Sequence, residues 1–198
     1  MTGVMNYHIN NSVFDQFPEL ESERLRFRSF ELSDARDFMK LRSDPTVMEF
    51  VDSVYITSET QALEKIRNLL NDFTDRNGIN WVITDKSTNQ FMGYIGFWRL
   101  MKEHVRAEIG YALAPEFWSK GYMYEAAMTI LNFGFQNFTL HSVEANVNID
   151  NQRSITLLKK LGFVKEAHFR ENYLFKCKFL DSIIFSLLES DFNRQLNE

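Results

Sequence analysis

Residues 118–126 read Trp118-Ser119-Lys120-Gly121-Tyr122-Met123-Tyr124-Glu125-Ala126, and the fold turns on how that stretch is read. Ahead of it lies a strand-like run, Glu108-Ile109-Gly110-Tyr111-Ala112-Leu113. Behind it Met123, Ala126, Ala127, Ile130, Leu131 and Gly134 fall on one apolar helix face. A strand that enters a helix through a glycine-bearing turn leaves several backbone N–H groups unpaired and pointing outward. The helix dipole adds partial positive charge where those donors converge, so the turn is suited to an anion. Gly121 lets the backbone approach a phosphate with no side chain in the way. The turn lacks the three spaced glycines of a dinucleotide site and the Gly-Lys-Ser/Thr of a P-loop.

A second segment, Asn148-Ile149-Asp150-Asn151-Gln152-Arg153-Ser154 continuing to Leu161-Gly162-Phe163, begins about 30 residues after the loop. Asn151 is placed to cap a helix and Gly162 to end it, with Ile155, Leu158 and Leu161 between them on the apolar side. A cap alone does not require two asparagines and a serine at three-residue steps.

Together the two segments resemble the GCN5-related N-acetyltransferases. The first resembles their pyrophosphate loop, Arg/Gln-x-x-Gly-x-Gly/Ala, with Gly121 central and with Trp118 and Met123 replacing the first and last motif residues. The second resembles the family's Asn-x-x-Asn-x-x-Ser block with its closing Gly-Phe. Ser22-Glu23-Arg24-Leu25 is similar to the opening strand of the Rim-type subfamily, which acetylates the N-terminal alanine of ribosomal proteins, and the resemblance covers about residues 20–190. It implies an α/β (α+β) fold, a central, mixed, mostly antiparallel sheet flanked by helices. It implies acetyl-CoA as acyl donor, no metal, and direct attack by a primary amine.

The same resemblance assigns roles. Ser119, Lys120, Gly121, Tyr122, Met123 and Tyr124 would hold the pyrophosphate. Leu113 and Ala114 would offer backbone groups to the pantetheine arm in a gap between Glu108–Ala114 and Val143–Asn148, and Asn148 and Asn151 would complete that side. A backbone N–H at the strand's end would polarise the thioester carbonyl. Ser154 would protonate the leaving thiolate and Glu108 would accept the amine's proton. Glu171, His168 and Tyr173 are weaker candidates for the base, and His104 and His141 read as structural.

Acceptor identity is less constrained. An α-amino group is roughly one-tenth neutral at pH 7 whereas a lysine is almost wholly protonated, so a modest base suits an N-terminal amine. Polyamines and amino sugars stay open, as does a non-catalytic acyl-CoA sensor. Asp44, Glu49 and Asp52 would favour polycations only if they converged; Phe50, Tyr55, Tyr173 and Phe175 are expected to wall the acceptor side.

The chain of 198 residues, 44% hydrophobic and with 19 Phe, suffices for one well-buried core. A net charge of −5 argues against bulk nucleic-acid binding. No apolar run reaches membrane length and no leader pattern opens the chain, so a cytoplasmic monomer or homodimer is expected. The single cysteine, Cys177, reads as a packed thiol in an alternating strand. Residues 1–20 read as an arm, 21–190 as the domain and 191–198 as a tail. Ser33 should cap a first helix that stops at Asp44-Pro45, and Ser58 with Gln61 a second. Strands are expected near 24–28, 80–85, 91–99, 105–113, 141–148, 163–170 and 172–188.

Overall fold

In Leu25-Arg26-Phe27-Arg28 the alternation of apolar and charged residues buries Leu25 and Phe27 on one face and turns both arginines away. The computed structural model describes residues 7–51 and 53–196. Within them the strands are β1 (Leu20–Glu21), β2 (Leu25–Arg28), β3 (Ile79–Asp85), β4 (Phe91–Met101), β5 (Arg106–Leu113), β6 (Ser142–Asn148), β7 (Val164–Phe175) and β8 (Lys178–Leu188). They form one sheet in the order β1-β2-β3-β4-β5-β6-β8-β7. Every adjacent pair is antiparallel except β5 and β6.

The helices are α1 (Ala35–Ser43), α2 (Pro45–Met48), α3 (Glu59–Thr74), α4 (Tyr122–Gln136), α5 (Gln152–Lys160) and α6 (Glu189–Leu196). Parallel strands need a crossover, and α4 supplies it between β5 and β6. Its predicted face is the buried one: Ala126, Ala127, Ile130, Leu131 and Gly134 join the main core with Trp81, Phe97 and Phe138. Each fully buried Ile or Leu there contributes about 1.5–3 kcal/mol. A second core holds α1 and α3 through Phe30, Phe38, Ala62, Ile66 and Val82. No helix among the described residues is long and apolar enough to cross a membrane.

Several local expectations change. Ser33 does not cap α1; a short 3-10 turn over Leu32–Asp34 precedes it, and Asp34 Oδ2 accepts the Glu31 backbone N–H at 2.8 Å. Asp34 also pairs with Arg28 at 2.7 Å, which a serine could not do. Ser58 does cap α3, but Gln61 reaches back to the Thr57 N–H at 2.8 Å. The final hairpin turns at Lys176-Cys177, both with positive φ, so Phe175 faces Lys178 across a two-residue turn. The break expected at Glu171 is instead a bulge between Phe169 and Tyr173, and Cys177 is exposed at the hairpin tip rather than packed in a strand.

Both ends of the described chain pack on the core. Phe14 and Phe17 pack on Phe73 in tilted geometry, with ring centroids 5.3 and 5.0 Å away. The Trp81 indole N–H donates to Pro18 O at 2.7 Å. Phe192 of α6 is fully buried against Phe135.

The parallel pair positions the site. β5 and β6 are in register only at Arg106–Glu108 and Ser142–Glu144. Beyond that point β5 stays with β4 and β6 with β8, so the two halves of the sheet part into a wedge.

Candidate active site

The strand-to-helix turn begins with a 3-10 turn over Pro115–Phe117 and contains two left-handed residues, Ser119 (φ 58°) and Gly121 (φ 81°). Glycine adopts that conformation at little cost. No side chain caps α4, so the N–H groups of its first turn have no intrahelical partner and no cap. Arg24 braces the turn from β2: its guanidinium donates to Lys120 O at 3.2 Å, pairs with Glu125 at 2.7 Å and lies 4.3 Å over the Tyr122 ring. Burial pushes the Glu125 carboxyl up, but donors from Arg24 and Ser22 outweigh it and hold the carboxyl below its ordinary range. Trp118 closes the turn on the strand it leaves, its indole N–H donating to Leu113 O at 2.7 Å while Arg153 stacks on it at 4.5 Å.

Ala114 N–H donates to Met92 O at 2.8 Å, so that pair is hydrogen-bonded and the antiparallel alternation turns the backbone groups of Leu113, Tyr111 and Ile109 toward the wedge. The Leu113 backbone therefore faces the wedge, whereas the Ala114 N–H faces β4. At the wedge's far wall Asn151 caps α5, its Oδ1 accepting from Ser154 N at 3.1 Å. That cap uses the side-chain oxygen and leaves the amide NH2 as its donor. At the other end of α5, Gly162 (φ 85°) and Phe163 donate to Lys159 O and Leu158 O, a Schellman stop.

Two cavities open on either side of the wedge. One, of about 780 Å³, runs from Ser119, Gly121, Tyr122, Met123 and Tyr124 along Leu113 to Asn151 and Ser154. The other, of about 740 Å³, holds Glu108, Gly110, Asn148 and Tyr173. Both are lined by Phe50, Val51, Tyr111, Asn151 and Ser154. At that junction the Tyr111 and Ser154 hydroxyls are 2.8 Å apart. Burial drives the Tyr111 phenol up to about 12, with the Ser154 hydrogen bond only partly opposing it, so it keeps its proton at neutral pH. Sequence reading missed Tyr111 because an aromatic in a strand reads as core.

Glu108 sits where β5 and β6 begin to part, 5% exposed. Burial is the largest influence and raises its pKa; Arg99, at 2.6 Å, opposes it and Glu144 reinforces it. Glu144 is itself held by Arg99 at 2.7 Å and Arg106 at 2.8 Å.

The acetyltransferase (GNAT) domain family model matches residues 24–164. The chain belongs to the GNAT acetyltransferases. N-acetyltransferase p20 of Bacillus licheniformis is 35% identical over 174 residues, covering 87% of this chain and 97% of p20. RimL, a ribosomal L7/L12 α-N-protein acetyltransferase solved with coenzyme A, superposes with a TM-score of 0.80 at 16% identity, over 86% of this chain and 98% of RimL. Spermidine N-acetyltransferase of Vibrio cholerae, solved with CoA and spermine, gives 0.77 at 23% identity, over 87% and 99%. This GNAT chain is thus an acetyl-CoA-dependent N-acyltransferase. Its residues fit the donor: the uncapped α4 N-terminus and Gly121 suit phosphates, and the wedge edge offers backbone groups to an amide-bearing arm.

The remaining candidates of the GNAT site fall as follows. Lys120 is exposed and Ala114 lies outside both cavity walls. Asn148 Oδ1 accepts from Asp150 N, so that side chain shapes the turn before α5. His168 pairs with Asp181 at 2.6 Å and Glu171 N–H donates to the same carboxylate; neither residue lines a cavity. His104 and His141 are exposed and lie outside both walls. Asp44 caps α2, Glu49 lines the 780 Å³ cavity, and Asp52 lies outside the described residues, so Asp44 and Glu49 form no acidic pocket. Phe50 and Tyr173 do wall the 740 Å³ cavity, whereas Tyr55 and Phe175 bracket Lys176 at 4.8 and 5.1 Å. Among the described residues no group of His, Cys, Asp or Glu gathers as metal ligands do.

Proposed function

We propose that the chain acetylates the free N-terminal amine of a peptide or protein, with the acetyl donor in the 780 Å³ cavity and the amine entering through the 740 Å³ one. The observation that carries this reading is the Tyr111–Ser154 hydroxyl pair, 2.8 Å apart where the two cavities meet. Acetyl-CoA, when bound, supplies the activated acyl group. First-turn N–H groups of α4 and Gly121 hold its phosphates, and Leu113 and Asn151 orient its arm.

Ser154 is the proton donor to the departing sulfur, and Tyr111 positions it and keeps it supplied with a proton. A half-buried phenol with a pKa of about 12 serves this role because it stays protonated at any physiological pH. Glu108 accepts the amine's proton, directly or through water; its burial makes it a stronger base than an exposed glutamate. An N-terminal amine needs only such modest help, since its own pKa is about 7.7–8.0.

The test is free-thiol release from acetyl-CoA with N-terminal peptides, polyamines and amino sugars as acceptors. Short peptides with a small first residue should exceed spermidine in kcat/KM. A preference for spermidine would reassign the acceptor to small amines, and acetyl-CoA binding without turnover of any amine would make the protein a sensor.

A further inference from the structure

Resting on the reading of the 740 Å³ cavity as the acceptor side, we propose that it carries a subsite for a carboxylate on the acceptor molecule, built around Arg42 of α1. Arg42 is 7% exposed and lines this cavity. Its guanidinium donates to the Tyr94 hydroxyl at 2.8 Å and to the Ser53 hydroxyl, both of which line the same cavity and both of which are neutral. Among the described residues no carboxylate lies within ion-pair distance of it, and its Nε has no hydrogen-bond partner. The Asn80 amide nitrogen, on a residue 6% exposed in the same wall, also lacks one.

A buried guanidinium without a counter-ion is costly, because it has given up water for partners that carry no charge. The carboxylates that line the cavity do not relieve it. Glu108 is held by Arg99, and Glu64 is exposed on α3 beside the oppositely charged Lys65. No described side chain supplies the balancing anion, and a carboxylate on the acceptor would. One N–H of each terminal nitrogen is engaged and Nε is enclosed, so one N–H remains on each terminal nitrogen, enough for the two-pronged grip that arginine gives a carboxylate. One buried arginine with neutral donors around it matches a monoanion better than a doubly charged phosphate. The same arginine repels the second cationic centre of a polyamine.

The acceptor class is thus an amine accompanied by a carboxylate. That carboxylate comes either from an acidic side chain next to a peptide's N-terminal residue or from the α-carboxylate of a free amino acid. Matched acceptors separate the sources: Ser-Asp against Ser-Asn as the opening of an otherwise identical peptide amide, and alanine against alanine amide. With saturating acetyl-CoA, kcat/KM is read by thiol release.

The carboxylate-bearing member of one pair should be preferred by about tenfold or more, the scale of a charge-assisted hydrogen bond. Arg42→Gln should bring that ratio close to one, and Arg42→Lys, which keeps the charge without the fork, should leave it intermediate. The wild-type ratios stand even where a variant fails to fold. Equal rates within both pairs overturn the subsite and leave acetyl transfer standing. A preference unchanged in a folded Arg42→Gln overturns the assignment to Arg42. No turnover of any acceptor overturns both readings together.

Discussion

Arg99 grips Glu108 at 2.6 Å at the point where β5 and β6 separate, while burial pushes the same carboxyl in the opposite direction. Burial prevails, so Glu108 is protonated at a higher pH than an ordinary glutamate. The acid limb of kcat/KM should therefore lie above the usual carboxylate range. Arg99→Met removes the opposing charge and should move that limb further up. Glu108→Gln should cost about 10²-fold or more in rate above that limb, and the cost should shrink as pH falls through it, where the wild-type carboxyl is itself protonated. A loss uniform across pH would mean that Glu108 positions the acceptor without taking its proton. Linkage has the matching sign: because the folded pKa is raised, the Glu108 contribution to stability is greatest at acid pH and falls as pH rises through the folded value.

The hydroxyl pair should separate chemistry from binding. Ser154→Ala should lower kcat by about 10²-fold while calorimetry finds acetyl-CoA affinity nearly unchanged. Tyr111→Phe should lower kcat less, since Ser154 keeps its own proton. The double variant should cost little more than Ser154→Ala alone, because the two hydroxyls act as one unit. Strict additivity would dissolve the pair. No loss of activity below about pH 10 should trace to Tyr111 ionisation, its pKa being about 12.

What the sequence disclosed followed from local rules. The α4 face, the Asn151 cap and the Gly162 stop are set by residues within a few turns of one another, and each was legible from spacing. Arg42, Tyr111 and Arg99 were not, because their meaning depends on partners 52, 43 and 45 residues away: Tyr94, Ser154 and Glu144. The hairpin tip was misplaced for a different reason. Lys176 and Cys177 adopt the left-handed conformations usually signalled by Asn-Gly, so the sequence carried no turn mark there.

Gly121 tests the donor site by charge alone. A Cβ there meets only Arg24 Nη2, at 3.5 Å, so the obstacle to substitution is the left-handed φ rather than space. Asn and Asp are isosteric and both tolerate that conformation better than other side chains. Gly121→Asn should weaken acetyl-CoA binding modestly, whereas Gly121→Asp should weaken it by well over tenfold by setting a carboxylate against the pyrophosphate. Equal affinities for the two variants would remove the phosphates from this turn.

Trp118 stands where the family motif has Arg or Gln, and the structure shows what the indole does in that place. Its N–H satisfies the last carbonyl of β5 that faces the wedge, and its ring carries Arg153. Trp118→Phe keeps an aromatic face for Arg153 but deletes the donor, leaving Leu113 O without that partner. A lost hydrogen bond of this kind costs about 1 kcal/mol, which for a chain of this length lowers Tm by roughly 2–4 °C. Because the bond pins the turn rather than touching the reacting atoms, KM for acetyl-CoA should rise severalfold with kcat nearly constant. Trp118→Ala, which also removes the ring, should raise KM further. If kcat falls while KM holds, Trp118 acts on the chemical step and not by bracing the loop.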